Sequence, residues 1–329
     1  MFNIAMLSRW HPHAKENRYV NQLNNIADAQ ITVVWDDDKL RGTEWARELG
    51  VDFEENLDKL LQRDDVDGVC ITAQNDLHKD IIIKAAKAGK HIFMEKPLVM
   101  NIDEAKEVKD VVERAGVEVG VVFTRKGDKT YAYAKKLYDS GAMGEVGLLR
   151  SRVAVTNAAP LSDEWFKKEP IGNGGAIRDL GCHSIDIACW ILGEPESVNV
   201  MCGYTRNYEV EDTGVCNIKF KNGAVAVLDS TFCAPLGHPF TFEIYGSKMA
   251  YLVDNENVTM IIANGEIPAE KKVIKIADIE DAYPIPLEQW INACMGKGEN
   301  VCNLEAGIMV TRVLDAVAEA QEKNCTVNI

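Results

Sequence analysis

Short apolar runs separated by stretches of helical spacing fill the first part of this chain and narrow its fold more than any other feature. The runs lie at residues 2–7, 31–35, 66–72, 92–94 and 117–123. Between the first two, Tyr19, Val20, Leu23, Ile26 and Ala27 mark one helical face. Further helices are predicted near 43–49, 56–63, 77–88 and 101–115, with Gly50 and Gly89 closing two of them. Strands alternating with helices at this spacing call for a parallel sheet joined by right-handed crossovers. Residues 1–122 are therefore predicted as a doubly wound α/β domain.

Beyond Phe123 the pattern changes. A helix near 127–141 precedes an alternating stretch at 148–155, then a polar loop at 157–175 containing Trp165, Gly172, Gly174 and Gly175. A helix follows from about Ala176 to Leu192. Short β-rich runs come next, at 196–206, 213–220, 224–233, 239–246, 249–254, 258–262 and 272–276. Asn222-Gly223 between two of them is a strong hairpin signal. Residues 123–329 are predicted as an α+β domain on a large, mostly antiparallel sheet. Its closing helices are placed near 285–296 and 303–322, the last able to pack back on the first domain.

The 329 residues suffice for two domains. With 36 Lys and Arg against 51 Asp and Glu, the net charge of −15 argues against nucleic acid and anionic membrane surfaces as partners. No apolar run reaches the roughly 18 residues of a membrane span, and no signal-peptide pattern opens the chain. The nine cysteines are odd in number and form no CxxC. Reduced thiols in a cytoplasm are the expectation.

Two constellations carry chemistry. In His91-Ile-Phe-Met-Glu95-Lys96-Pro97 an apolar run ends in an acid, a base and a proline. Ligands of open α/β sheets bind beyond the carboxyl ends of strands, and Pro97 restrains the backbone around Lys96. A solvated strand end is the plain alternative. In Asp179-Leu-Gly-Cys-His183-Ser-Ile-Asp186, positions 179, 183 and 186 share one helical face. An aspartate one turn before a histidine can fix its tautomer, leaving the other ring nitrogen for proton transfer near neutrality. The alternative there is a surface Asp-His pair. A lysine on a strand tip and an Asp-His pair on a second-domain helix are what a cleft handling alcohols or ketones would use.

These motifs, with Ala88-Gly89-Lys90-His91, Trp165 with Gly174-Gly175, and Asn75-x-x-His78, resemble the Gfo/Idh/MocA family of sugar-type oxidoreductases. The resemblance runs over nearly the whole chain and implies an N-terminal Rossmann domain. It implies hydride transfer between a nicotinamide and a sugar, inositol or related polyol, with Lys96 and His183 as acid and base and Asp179 orienting or relaying. It further implies a cis Lys96-Pro97 bond, Glu95 near the nicotinamide, and a homodimer or homotetramer paired through the second domain's sheet. Thr72, Asn75 and His78 would border the nicotinamide and ribose, although Asn75 also suits an N-cap for a helix from Leu77. Arg125, Trp165 and Lys167 fall loosely near the substrate, and each reads equally well as structural.

One departure stands out. Where the family carries G-x-G-x-x-G/A after its first strand, this chain reads Ser8-Arg9-Trp10-His11-Pro12-His13-Ala14, without glycine. Ser8 stands for the first glycine, Trp10 forces a different path at the second, and Arg9 offers a cation to a phosphate. His11-x-His13 is also a candidate metal pair, but no third ligand is evident and no metal is assigned. Asp36, ending the second strand, suits the ribose hydroxyls of adenosine. A 2′-phosphate beside Asp36, Asp37 and Asp38 would meet like charge costing about 4 kcal/mol per contact at ~4 Å and an effective dielectric near 20, so NAD is expected over NADP. An acidic solvated turn is the alternative. Two rival functions remain: a glycoside hydrolase or epimerase recycling a tightly held NAD, and a non-catalytic nucleotide or sugar sensor, for which Lys96, Asp179 and His183 would have no use.

Overall fold

Strand β1 (Phe2–Leu7) is buried on both faces, with Ile4, Ala5, Met6 and Leu7 fully enclosed. This explains why its apolar run is continuous rather than alternating. β2 (Ala29–Trp35), β3 (Asp52–Phe53), β4 (Gly68–Ile71), β5 (His91–Met94) and β6 (Val119–Val121) join it in a parallel sheet of order β3-β2-β1-β4-β5-β6. The order reverses between β1 and β4, the switch point beyond which open α/β sheets hold ligands. The computed structural model describes residues 1–155, 174–206, 208–235, 241–265, 268–280 and 282–329. Trp165, Lys167 and most of the expected 157–175 loop lie outside the described residues.

Local chemistry sets the helix ends. Asp38 caps Lys39–Leu49 by accepting from the backbone N–H of Leu40 at 2.9 Å and Arg41 at 3.1 Å. Asn101 caps Ile102–Ala115 by accepting from Glu104 N–H at 2.9 Å. The two-residue strand β3 was not expected, and the helix Arg18–Leu23 stops short of Ile26 and Ala27.

The chain divides into two compact units, Met1–Phe123 with Pro284–Thr311 and Thr124–Tyr283 with Arg312–Ile329. The expected split at 122 had placed everything later in the second domain, with only the last helix able to return. Instead the whole of helix Pro286–Cys294 belongs to the first unit, because its apolar face completes that core. Trp290 is fully buried there, edge-on to Phe2 at 5.4 Å and 5.5 Å from Phe93, and donates its indole N–H to Glu118 O at 3.3 Å. A Cβ on Gly68 or Gly120 would lie 2.9 Å from Trp290 atoms, so these two glycines let the indole reach the sheet.

The second unit is built on nine strands: β7 (Val146–Ala154), β8 (Pro195–Gly203), β9 (Thr213–Phe220), β10 (Val225–Thr231), β11 (Thr241–Gly246), β12 (Met249–Val253), β13 (Asn257–Ile262), β14 (Glu270–Lys275) and β15 (Val327–Asn328). Their order is β14-β13-β12-β11-β7-β10-β9-β8-β15; β7 and β10 run parallel and every other pair antiparallel. The expected hairpin at Asn222-Gly223 joins β9 to β10, with Gly223 at φ +90°. Period-two burial puts Cys216, Ile218, Ala226 and Leu228 on the covered face. Helix Cys182–Leu192 packs on this sheet, where Ser184 Oγ meets Ser151 Oγ at 2.8 Å. None of the nine cysteines forms a disulfide. Among the described residues no helix is long and apolar enough to cross a membrane.

Candidate active site

The loop leaving β1 solves the missing-glycine problem with Ser8, whose backbone takes φ +71°. That left-handed region usually requires glycine. Here it is held in place: Ser8 N–H donates to Trp35 O at 2.7 Å, its carbonyl accepts from Thr72 Oγ1, and its hydroxyl meets Asp37 Oδ1 at 3.2 Å. Trp10 turns inward and is 9% exposed. Arg9 directs its guanidinium to Glu48 at 2.7 Å. Its backbone N–H, rather than its charge, serves the strand tips, donating to Asp36 Oδ2 at 2.7 Å.

Asp36 is where the structure departs most from expectation. Its buried carboxylate accepts Arg41 Nη2 at 2.6 Å and Nε at 3.0 and 3.1 Å, besides the Arg9 and Asp38 N–H groups. Burial pushes this carboxyl above its usual range despite Arg41. Arg41 also reaches Asp37 at 2.7 Å. The acidic turn therefore has a cation built into it, and Asp36 is an acceptor already engaged from within the chain.

At the tip of β5 the peptide Lys96-Pro97 is cis, as the family resemblance implied. Lys96 is 3% exposed. His78, fully buried, meets Pro97 O through Nδ1 at 3.0 Å and Ala73 O through Nε2 at 3.3 Å. Burial holds this imidazole below its ordinary range, and the neutral ring donates to one of these carbonyls at a time. His78 therefore braces the lysine's segment against the tip of β4. Asn75 begins a 3-10 turn, Asn75–Leu77, and the helix starts at His78 rather than Leu77. No side chain caps the start of that helix, whose N-cap position is Leu77, so the N-cap expected of Asn75 is not what the fold uses.

Glu95 points to the glycine-free loop. Its Oε1 lies 2.6 Å from His13 Nδ1 and 3.3 Å from His11 Nδ1, and it accepts the Tyr19 hydroxyl. Burial alone would raise this carboxyl; the imidazoles of His11 and His13, with Lys96, outweigh that and hold it well below the usual range. Tyr19 is pushed up by burial and by Glu95. The third partner that the sequence did not show for His11 and His13 is thus Glu95.

In the second unit a cavity of about 670 Å³ is lined by Arg125, Asp128, Tyr131, His183, Asp254 and Asn255, among others. Arg125 bonds the Tyr131 hydroxyl and stacks over that ring at 5.5 Å. Asp179 sits in a π-helical turn, Ile177–Gly181, that leads into the α-helix carrying His183 and Asp186. Such turns are uncommon and concentrate at functional sites. The glycine pair before it has a steric role. A Cβ on Gly175 would lie 1.9 Å from the Glu211 carboxylate, which accepts Ile177 N–H at 3.0 Å and so anchors the turn.

Asp186 does not join Asp179 and His183 as a third polar member of one stripe. It is buried and paired at 2.8 Å with Lys126, a residue with no local sequence signal, whose ammonium lies 5.7 Å over Trp190. Burial pushes Asp186 up to about 6, against the pull of Lys126. A carboxyl raised in the folded state binds its proton more tightly there. Its contribution is full below about pH 4 and is lost as pH rises through about 6, by roughly 2–3 kcal/mol. The stability difference between the protein and its Asp186→Asn variant should therefore slope with pH over that window in urea melts. A flat difference would contradict the assignment.

Comparison with known proteins sets these features in a family. Residues 14–123 match the model of an oxidoreductase family with an NAD-binding Rossmann fold, and residues 131–252 match the GFO/IDH/MocA C-terminal domain. The scyllo-inositol 2-dehydrogenase (NAD(+)) of Bacillus subtilis is 29% identical over 323 residues, covering 91% of this chain and 89% of its own. The inositol 2-dehydrogenase of Rhizobium meliloti is 28% identical over 320 residues, covering 94% and 95%. A levoglucosan dehydrogenase solved with NADH and levoglucosan superposes with a TM-score of 0.83 at 24% identity, over 100% of this chain and 99% of that one, and so shares the fold. With matching models for both of its parts and relatives aligned along nearly its full length, the chain belongs to the GFO/IDH/MocA family of oxidoreductases.

Proposed function

We propose that the protein is an NAD-dependent dehydrogenase that oxidises a ring hydroxyl of an inositol, a sugar or a related polyol. The observation that carries this reading is Lys96, a buried amino side chain just beyond the carboxyl end of β5, on a segment braced by His78. Nicotinamide, when bound, supplies the hydride acceptor. In its neutral amine form, Lys96 takes the proton of the substrate hydroxyl as the hydride leaves. His183, in a cavity whose other walls carry Arg125, Asp128 and Asp254, is the second proton-transferring group, and Asp179 one turn before it orients the ring. Those polar walls suit a polyhydroxy substrate better than an apolar one. The aligned inositol dehydrogenases support the same class.

The residues at the tips of the first sheet fit a dinucleotide in part. Ser8 makes the left-handed turn that the family's first glycine makes, and the tips of β1, β2 and β4 present Ser8, Asp36 and Thr72 at the switch point. We further propose that NAD is preferred over NADP. Asp36 and Asp37 outnumber Arg41, leaving one negative charge where a 2′-phosphate would lie.

The test is NADH formation from NAD with a panel of inositols, pyranoses and anhydrosugars. At least one should turn over, and His183→Ala should lower its kcat by roughly 10²–10⁴. Turnover of such a substrate at an unchanged rate in His183→Ala would remove His183 from the mechanism.

A further inference from the structure

We propose that His11, His13 and Glu95 form a binding site for one divalent cation of the zinc class, which fastens the glycine-free loop after β1 to the tip of β5. The two imidazoles flank Pro12, and their Nδ1 atoms lie 3.3 and 2.6 Å from the same Glu95 oxygen. The candidate ligand atoms all fall within 4.8 Å of one another, and among the described residues no other His, Cys, Asp or Glu group meets that spacing. Zinc bonds to imidazole nitrogen and carboxylate oxygen run about 2.0–2.2 Å, which makes the edge of a tetrahedral site roughly 3.3 Å. His11 already stands at that separation. His13 must open by about 0.7 Å on the same estimate, and its side chain, 24% exposed, is the one ligand not enclosed. Capture through His11 Nδ1 displaces the His13 N–H that it now accepts at 3.1 Å.

Chemistry and charge point the same way. Two imidazoles with one carboxylate select Zn²⁺, Co²⁺ or Fe²⁺ over Mg²⁺ and Ca²⁺, which prefer all-oxygen shells. Glu95 is fully buried, and its carboxylate is shared by two imidazoles and the Tyr19 hydroxyl, with Lys96 next to it in the chain. A divalent ion held by the two imidazoles would add positive charge beside that carboxylate. Arg9, in the same loop, is turned to Glu48. Three protein ligands leave a coordination position on the solvent side for water. The metal's role is positional, holding Trp10 to Ala14 where the family's loop relies on glycine. The inference stands on the loop's geometry and does not depend on the hydride-transfer reading.

The experiment is a Co²⁺ titration of the full-length, chelator-treated protein, followed by visible absorption and proton NMR. The expected result is saturation at one equivalent, d–d bands without a thiolate charge-transfer band, and shifted N–H resonances from two imidazoles. His13→Ala and Glu95→Gln should each weaken Co²⁺ by more than the roughly 10–100-fold that loss of an outer-shell partner costs. The proposal is overturned by the absence of saturable binding, by thiolate charge transfer marking capture at cysteines, or by equal affinity in folded His13→Ala. If the variants fail to fold, the imidazole resonances of the unmodified protein decide alone.

Discussion

Replacing Lys96 by methionine should lower kcat on the protein's polyol substrate by roughly 10²–10⁴, with NADH affinity changed by less than a few-fold. Methionine keeps the apolar stem and removes the amino group, which separates lost packing from lost proton transfer. The effect belongs in kcat because the amine acts on a proton that moves only in the transition state. Two features make the position demanding. Lys96 is 3% exposed, and His78 grips the Pro97 carbonyl at 3.0 Å. A group held this way cannot be replaced by a neighbour swinging in, and a solvated strand-end lysine would give a negligible effect. Steady-state kinetics beside an NADH binding isotherm check it. A variant with near-normal kcat would return Lys96 to a structural role.

The second large effect is on stability. Trp290→Ala should destabilise the protein by roughly 3–5 kcal/mol, a large share of the 5–15 kcal/mol that typically separates folded from unfolded states. The indole is enclosed by Phe2, Phe93, Gly68 and Gly120, and its N–H bond to Glu118 O is lost with it. The surrounding β-strands cannot collapse into the space, because β1, β4, β5 and β6 are pinned in register by their own ladders. Gly120→Ala probes the same contact from the other side, since its new Cβ would press to 2.9 Å from Trp290 Cβ and 3.0 Å from the indole Cγ. Urea denaturation measures both. A loss under about 1 kcal/mol for Trp290→Ala would mean that helix Pro286–Cys294 is not part of the first unit's core.

What the sequence revealed and what it hid follow from the range over which each signal acts. The strand-helix alternation of residues 1–122 is local, and nearly every element predicted from it is present, with ends moved by a few residues. β3 and β15 have two residues each, too few for any periodicity to register. The return of Pro284–Thr311 to the first unit depends on Trp290 meeting Phe2 and Phe93 from the far end of the chain. No local pattern encodes that. Lys96 was legible because acid, base and proline follow an apolar run directly. The Lys126 partnership of Asp186 was not, since the two lie 60 positions apart in the chain. Asp36 was read as open to a ribose, yet Arg41, one turn into the next helix, occupies it. That contact lay within reach of sequence reasoning, through the Asp38 cap that orients the helix. Glu95 as the meeting point of His11 and His13 required the parallel order β1-β4-β5 before it could be seen.

The central claim is that a loop without glycine still admits a dinucleotide. Its most direct test is a titration of the purified protein with NADH and NADPH, after any copurified nucleotide has been released and identified by mass. NADH should bind saturably at micromolar concentration and NADPH at least about tenfold more weakly, the discount from a full like-charge penalty reflecting Arg41. Binding of neither nucleotide would mean that Trp10 has closed the site, and would contradict the dehydrogenase reading.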